Sequence, residues 1–187
     1  MALSTRDRTP TTGFLYRGRP TWLTDGVLSQ LNDEALRLRG DAKLLRRQRH
    51  HACGEAGSTL ASSPSMLKLI ENAVGPAVPS HSANYLYYES EGDGIDPHID
   101  KGRFHLNLLM LLNHEHDGSP SSMLMLFPSG PECPIPIRLE PGEMVLFWAT
   151  KVFHCRTALG PSEKVLNMGI GYLPKFTLPE FPYWSER

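Results

Sequence analysis

The stretch Asp96-Pro97-His98-Ile99-Asp100 places an imidazole and a carboxylate two residues apart in a segment with strand-like composition. Residues two apart in a strand point to the same face of the sheet, so His98 and Asp100 can face one metal together. His154 follows an apolar strand candidate at residues 144–149 and is the candidate third ligand. Two histidines and one carboxylate leave open coordination positions, as non-haem iron(II) sites require. The alternative is an incidental pair, because His-x-Asp is a common tripeptide.

Eight strand candidates surround this stretch, separated by turns rich in Gly, Pro, Ser and Asp. They are residues 84–89, 95–100, 104–112, 123–127, 135–139, 144–149, 153–157 and 165–172. Many short strands at this spacing are typical of a jelly roll. The pattern predicts a mainly β chain with flanking helices, folded as a cupin-like double-stranded β-helix.

Two helices are predicted before these strands. Thr24 can cap a helix whose apolar residues recur at helical spacing as far as Leu45, and Ser63-Pro64 begins a second helix. The basic run at 43–49 then reads as the solvated end of the first helix, and residues 54–63 as a loop. We therefore predict a single domain over 1–187, with helical support at 1–79, the double-stranded β-helix at 80–175 and an irregular C-terminal strap at 176–187.

Composition argues against several classes of partner. A formal net charge of −1 gives no electrostatic case for nucleic acid or an anionic membrane. No apolar run approaches the ~20 residues that span a bilayer, and the first residues lack the apolar core of a signal peptide. Cys53, Cys133 and Cys155 have unrelated spacings, which argues against a disulfide framework. We expect a cytoplasmic protein, and its oligomeric state stays open.

A 2-oxo acid bound at the open metal positions would need a cation for its distal carboxylate. Arg156 lies two residues after His154 and shares its strand face. Lys164 follows across a turn at 160–162, and the hairpin could return it to the same mouth. The hairpin register cannot be read from sequence, so both residues are candidates. Tyr88, ten residues before His98, could donate its hydroxyl to the same carboxylate.

Residues 88–172 resemble the Fe(II)/2-oxoglutarate-dependent oxygenases, particularly the prolyl-hydroxylase-like branch. The resemblance lies in three stretches: Tyr88-Glu-Ser-Glu-Gly-Asp-Gly-Ile-Asp-Pro-His98-Ile-Asp100, Arg103-Phe-His-Leu-Asn-Leu-Leu-Met-Leu-Leu-Asn113, and Leu139-Glu-Pro-Gly-Glu-Met-Val-Leu-Phe-Trp148 before Phe153-His154. It implies that His98, Asp100 and His154 bind iron(II), with 2-oxoglutarate and O2 as co-substrates. It also favours Lys164 over Arg156 as the carboxylate anchor, and it implies an assisting role for Tyr88.

The activity that this resemblance implies is hydroxylation or a related oxidation, with succinate and CO2 as co-products. Ser121-Ser122 stands where the family often has Gly-Gly, which leaves the substrate open. Lys101, Arg103 and His105 are expected near the cavity and would suit a small polar or anionic molecule, and a short peptide is also possible. Two alternatives are a cupin-like metal enzyme that does not use 2-oxoglutarate and a non-catalytic jelly-roll binding module.

Overall fold

The computed structural model describes residues 13–175, which form three α-helices and eleven strands. The helices are α1 (Asp25–Leu38), α2 (Glu55–Ser62) and α3 (Pro64–Val74). The strands are β1 (Tyr16–Gly18), β2 (Lys43–Leu45), β3 (Gln48–Ala52), β4 (Ala77–Tyr88), β5 (Ile95–His98), β6 (Leu106–Glu115), β7 (Leu124–Phe127), β8 (Ile135–Ile137), β9 (Met144–Phe147), β10 (Phe153–Arg156) and β11 (Lys164–Pro174). The predicted strap at 176–187 lies outside the described residues.

The strands form two antiparallel sheets. The major sheet has the order β1-β9-β6-β11-β4-β3-β2, and the minor sheet has the order β5-β10-β7-β8. Apolar side chains from both sheets share one core, in which Leu108, Phe147 and Leu126 are fully buried. Each of the eight predicted strands overlaps an observed one. The expectation of a double-stranded β-helix with flanking helices is therefore confirmed.

The helices pack on the outer face of the major sheet. The alternation of side chains along β4 shows which residues face them. Leu86 and Tyr88 line the space between the sheets, so Tyr85 and Tyr87 project from the opposite face. The Tyr85 hydroxyl donates to Glu34 at 2.7 Å, and the Tyr87 hydroxyl donates to the Ala35 carbonyl at 2.7 Å. Both acceptors lie on α1, so two phenol groups fix that helix to the sheet.

The predicted helix boundaries are partly wrong. Thr24 does cap α1, accepting from the Val27 amide at 3.3 Å, but the helix ends at Leu38. Residues 43–52 form the β2–β3 hairpin instead of a helix end, because β3 pairs with β4 at the edge of the major sheet. Sheet pairing between distant segments supplies hydrogen bonds that outweigh local helix propensity. The helical support predicted at 1–79 therefore includes two strands of the sheet.

The segment predicted as a loop at 54–63 contains α2. The buried Glu34 carboxylate accepts from the amides of Gly54 (3.1 Å), Ala56 (2.7 Å) and Gly57 (3.0 Å), which lie at the start of this helix. Amides at a helix start lack partners within the helix, so a carboxylate placed there stabilises it. Glu34 lies on α1, and this long-range cap has no local sequence signature. No helix within residues 13–175 is long and apolar enough to span a bilayer.

Candidate metal centre and adjoining cavity

Strands β5 and β10 bring the three predicted metal ligands together. His98 and His154 are direct cross-strand partners, with ring centroids 4.3 Å apart. The Asp100 carboxylate lies 3.5 Å from His98 Nε2 and 3.7 Å from His154 Nε2. One ligand atom from each residue lies within 4.8 Å of the others. The two-imidazole, one-carboxylate set expected from the sequence therefore converges at one point.

Backbone carbonyls orient both imidazole rings. His98 Nδ1 lies 2.8 Å from the Asp96 carbonyl oxygen, and His154 Nδ1 lies 3.1 Å from the Val152 carbonyl oxygen. A carbonyl can only accept, so each Nδ1 carries the proton and each Nε2 keeps its lone pair. A hydrogen bond from the distal ring nitrogen is the usual way in which proteins orient a histidine that binds a metal.

One hydrogen bond holds the backbone of Asp100 and another holds its carboxylate. The Asp100 amide donates to the Ala149 carbonyl at 2.8 Å, and the Asn107 amide group donates to Asp100 Oδ2 at 3.0 Å. Asn107 lies on β6 of the major sheet, across the space between the sheets from His154. Its contact leaves Asp100 Oδ1 facing His98.

Two of the three side chains, His154 and Asp100, are held in the protonation states of metal ligands, whereas burial lowers the pKa of His98 but contacts with Asp100 and Asp96 outweigh burial and raise it. Burial lowers the pKa of His154 well below its usual value, although the Asp100 charge opposes that shift. Burial raises the pKa of Asp100, but contacts with His98, His154 and Asn107 outweigh burial and hold it below the ordinary value. A neutral imidazole and an ionised carboxylate are the forms that bind a metal.

A cavity of about 460 Å³ adjoins these residues between the two sheets. Small-molecule sites occupy roughly 300–1,000 Å³ and combine apolar walls with a few polar groups. Leu109, Leu124 and Phe147 supply apolar wall. Several buried polar atoms on the cavity wall have no hydrogen-bond partner within the described protein: Gln48 Oε1, Asn107 Oδ1, Arg156 Nε and both amide atoms of Asn167. Buried polar groups are normally paired, so these atoms indicate a polar ligand.

Arg156 lies inside this cavity. Its side chain leaves the same strand face as His154 and is buried, with its guanidinium carbon 5.5 Å from the centre of the Tyr88 ring. One Nη donates to Ser122 Oγ at 3.2 Å. Burial lowers the pKa of Arg156 from its ordinary value, and the nearby Tyr88 and Glu163 oppose that shift. The described residues give this buried guanidinium no salt bridge.

Lys164 lies outside the cavity, contrary to the family spacing that favoured it as the carboxylate anchor. Asn167 and Gly169 of β11 line the cavity, so alternation puts Lys164 on the opposite face of the strand. Its amino group lies 3.6 Å from Glu115, and more than half of the side chain is exposed. The register of β11 determines the direction of the Lys164 side chain, and a shift of one residue would have turned it into the cavity.

Sequence reasoning missed several residues that line the cavity. Lys101, Arg103 and His105 do not line it, whereas Arg46, Gln48 and His50 of the β2–β3 hairpin do. The hairpin was missed because its basic composition resembles a solvated helix end. Asn107 and Asn167 were missed because single amides in apolar strands carry no motif. Their polarity at buried strand positions was the available signal.

No family model matches the sequence, and no curated protein matches it. Solved structures are similar in fold. SnoN, a non-haem α-ketoglutarate-dependent epimerase from nogalamycin biosynthesis, has a TM-score of 0.73 and 17% identity, over 90% of this chain and 79% of SnoN. HygX from Streptomyces hygroscopicus, solved with nickel and 2-oxoglutarate, has a TM-score of 0.70 and 15% identity, over 94% and 89% of the two chains.

A prolyl-4-hydroxylase from Pseudomonas putida has a TM-score of 0.65 and 16% identity, over 89% of this chain and 96% of the hydroxylase. These similarities extend over nearly all of the described residues and over most of each solved chain. The protein thus has the double-stranded β-helix fold of the iron(II)- and 2-oxoglutarate-dependent oxygenases.

Proposed function

We propose that this protein is an Fe(II)- and 2-oxoglutarate-dependent oxygenase that oxidises a small polar molecule. The observation that carries the proposal is the convergence of His98, Asp100 and His154 at the wall of a cavity that also contains the buried Arg156, to which the described residues give no salt bridge. A dicarboxylic acid suits such a cavity, because one end of it can bind the metal while its second carboxylate pairs with the buried cation. We also propose that residues 1–187 act as a single oxygenase domain.

The donor set fits iron(II). Two imidazole nitrogens and one carboxylate oxygen on one side of a metal are the ligands of the non-haem iron(II) oxygenases, and three positions stay open on the other side. When bound, iron would activate dioxygen, and 2-oxoglutarate would supply two electrons as it is oxidised to succinate and CO2. Asn107 holds Asp100 for this purpose, and the two carbonyl-bonded imidazoles present their Nε2 atoms to the metal.

The cavity fits 2-oxoglutarate through Arg156, and we propose Arg156 as the anchor of the distal carboxylate. A buried guanidinium without a negatively charged partner costs free energy, and a carboxylate ligand would reduce that cost by forming an ion pair with it. The strand places Arg156 about 7 Å along β10 from His154, at about 3.3 Å per residue. Tyr88 packs against the guanidinium and so keeps it directed into the cavity.

The remaining wall residues would exclude water and hold the substrate. Phe147 packs edge-on against His154, with centroids 4.8 Å apart, and shields the metal site from the core side. The unpaired amide of Asn167 offers both a donor and an acceptor to a polar ligand. A small molecule suits the cavity volume, a short peptide remains an alternative substrate, and the cytoplasmic location stays a prediction.

The test is to measure iron(II) binding without oxygen, then 2-oxoglutarate binding to the iron-loaded protein, then oxygen-dependent succinate formation. We expect all three in the wild-type protein. Metal binding without 2-oxoglutarate binding would favour a cupin-like metal enzyme, and absence of metal binding would favour a binding module. Either result contradicts the proposal.

Matched variants test the anchor. Arg156→Gln should weaken 2-oxoglutarate binding and keep iron binding, whereas Lys164→Gln should change neither. A charge-assisted hydrogen bond contributes about 1.5–3 kcal/mol, so the expected loss is at least about tenfold. A loss in Lys164→Gln with none in Arg156→Gln would show that the anchor lies elsewhere than we propose.

A further inference from the structure

The β2–β3 hairpin forms one side of the cavity mouth and is clamped beside β5. Leu45 pairs with Gln48, so Arg46 and Arg47 form a two-residue turn. The Gly94 amide donates to the Arg47 carbonyl at 3.0 Å, and an Arg47 Nη lies 2.5 Å from Asp96 Oδ1. Asp96 lies on β5, two residues before His98. The clamp therefore holds the turn next to a metal ligand.

Arg46 has a backbone conformation that favours glycine. Its φ is 58°, in the left-handed region. Two-residue hairpin turns need a positive φ at their first central residue, and glycine adopts it without strain. A large side chain in such a position costs free energy, and Arg46 keeps this conformation although glycine would adopt it without strain.

Arg46 is exposed to solvent and lines the cavity together with Leu45, Gln48 and His50. No salt bridge joins Arg46 to any residue within 13–175, whereas its neighbour Arg47 is paired with Asp96. Arg46 and His98 line the same cavity, so the guanidinium belongs to the same space as the metal site.

The charges of the cavity are unbalanced in favour of cations. Among the described residues that line it, the Asp, Glu, Lys and Arg side chains are Arg46, Asp100 and Arg156. In the proposed function, Asp100 binds the metal and Arg156 binds 2-oxoglutarate. Arg46 is then a cation at the mouth without an anion.

We propose that Arg46 binds an anionic group, a carboxylate or a phosphate, of the small molecule that is oxidised. This inference rests on the proposed function and names the substrate class. The anion would sit at the cavity mouth beside His98, so that the rest of the molecule reaches the metal. Leu45 offers apolar contact at this point, and the unpaired Gln48 Oε1 can accept a hydrogen bond from a hydroxyl or amine of the same molecule.

The test uses the protein loaded with nickel(II) and 2-oxoglutarate, with inorganic phosphate as the probe, titrated calorimetrically at low ionic strength. Arg46→Gly removes the cation while supplying the residue that the turn favours, so the hairpin stays folded. Arg49→Gln is the matched control, because it removes a positive charge from the same hairpin. Arg49 is the cross-strand neighbour of Tyr87 on β4 and, like Tyr87, faces away from the cavity.

We expect Arg46→Gly to bind phosphate about tenfold more weakly than the wild type, and Arg49→Gln to stay within about twofold. If the wild type and Arg46→Gly bind phosphate equally, as they would if nickel alone held the phosphate, the inference is overturned. The inference is also overturned if the wild type does not bind phosphate.

Binding of 2-oxoglutarate is measured first. If Arg46→Gly loses it, Arg46 belongs to the co-substrate site and the inference fails while the proposed function stands. If the wild type does not bind it, the proposed function fails and the inference fails with it.

Discussion

The guanidinium of Arg156 packs over the ring of Tyr88, with 5.5 Å between the guanidinium carbon and the ring centroid. Arg156 belongs to the minor sheet and Tyr88 to the major sheet, so the contact crosses the cavity. Both side chains are buried, which strengthens the attraction between a cation and an aromatic face. The two residues therefore act as one unit, in which the aromatic ring directs the cation.

This relationship predicts different effects for two substitutions of Tyr88. Tyr88→Phe keeps the ring and should change 2-oxoglutarate affinity by less than twofold, because the ring and not the hydroxyl contacts the guanidinium. Tyr88→Leu removes the ring and should weaken affinity about five- to thirtyfold, because a buried cation–π contact contributes about 1–2 kcal/mol. Calorimetry on the metal-loaded protein measures both. Equal losses in the two variants would assign the effect to the hydroxyl group.

Asn107→Leu should weaken metal binding. The substitution removes the hydrogen bond to Asp100 Oδ2 and frees the carboxylate to rotate. Loss of an outer hydrogen bond to a metal ligand typically costs about 10–100-fold in affinity. Competition with a coloured chelator measures the affinity, and Asn113→Leu, at an exposed position on the same strand, is the control. Unchanged metal affinity in Asn107→Leu would show that Asp100 is held without it.

Glu34→Gln should destabilise the protein at neutral pH and much less in acid. Burial raises the pKa of Glu34, but hydrogen bonds from the Gly57 amide and the Tyr85 hydroxyl, among others, outweigh burial and lower it. A lowered pKa means that the ionised group stabilises the folded state above the unfolded value of about 4.3, and that this stability is lost as pH falls below it. Losing charge-assisted hydrogen bonds costs about 1.5–3 kcal/mol.

Urea unfolding at a series of pH values checks this prediction. The difference in unfolding free energy between wild type and Glu34→Gln should be largest near pH 7 and should shrink below about pH 4. Asp33→Asn, which neutralises the exposed neighbouring carboxylate, should give a small difference. A constant difference for Glu34→Gln across the pH range would contradict the assigned ionisation.

Two glycines of β11 should differ in how well the fold tolerates their substitution by alanine. A Cβ at Gly171 would lie 2.5 Å from both the Arg103 carbonyl oxygen and Ser80 Oγ, whereas a Cβ at Gly169 would meet nothing closer than 3.7 Å. Overpacking typically costs about 1–3 kcal/mol, so Gly171→Ala should lower the melting temperature and Gly169→Ala should not. Thermal unfolding of the two variants makes the comparison. Equal melting temperatures would mean that the strand relaxes around the added methyl group.

Local sequence determined the parts of the site that depend on short-range geometry. The spacing of two residues predicted that His98 and Asp100 lie together, although β5 ends at His98 and Asp100 follows it, and alternation along β10 puts Arg156 on the face of His154. Helix caps are also local, since a side chain reaches amides within its own first turn. Thr24 and Ser63 could therefore be assigned from sequence, and both accept hydrogen bonds in the structure.

Tertiary structure decided whatever depends on register and long-range pairing. Lys164 faces outward because β11 pairs with β4 and β6 in one register out of several that its composition allows. Residues 43–52 became a hairpin because the free edge of β4 pairs with them, although their composition also suits a helix. Glu34 caps α2 from another helix. These outcomes depend on hydrogen bonds and packing between segments far apart in the chain, which no local pattern encodes.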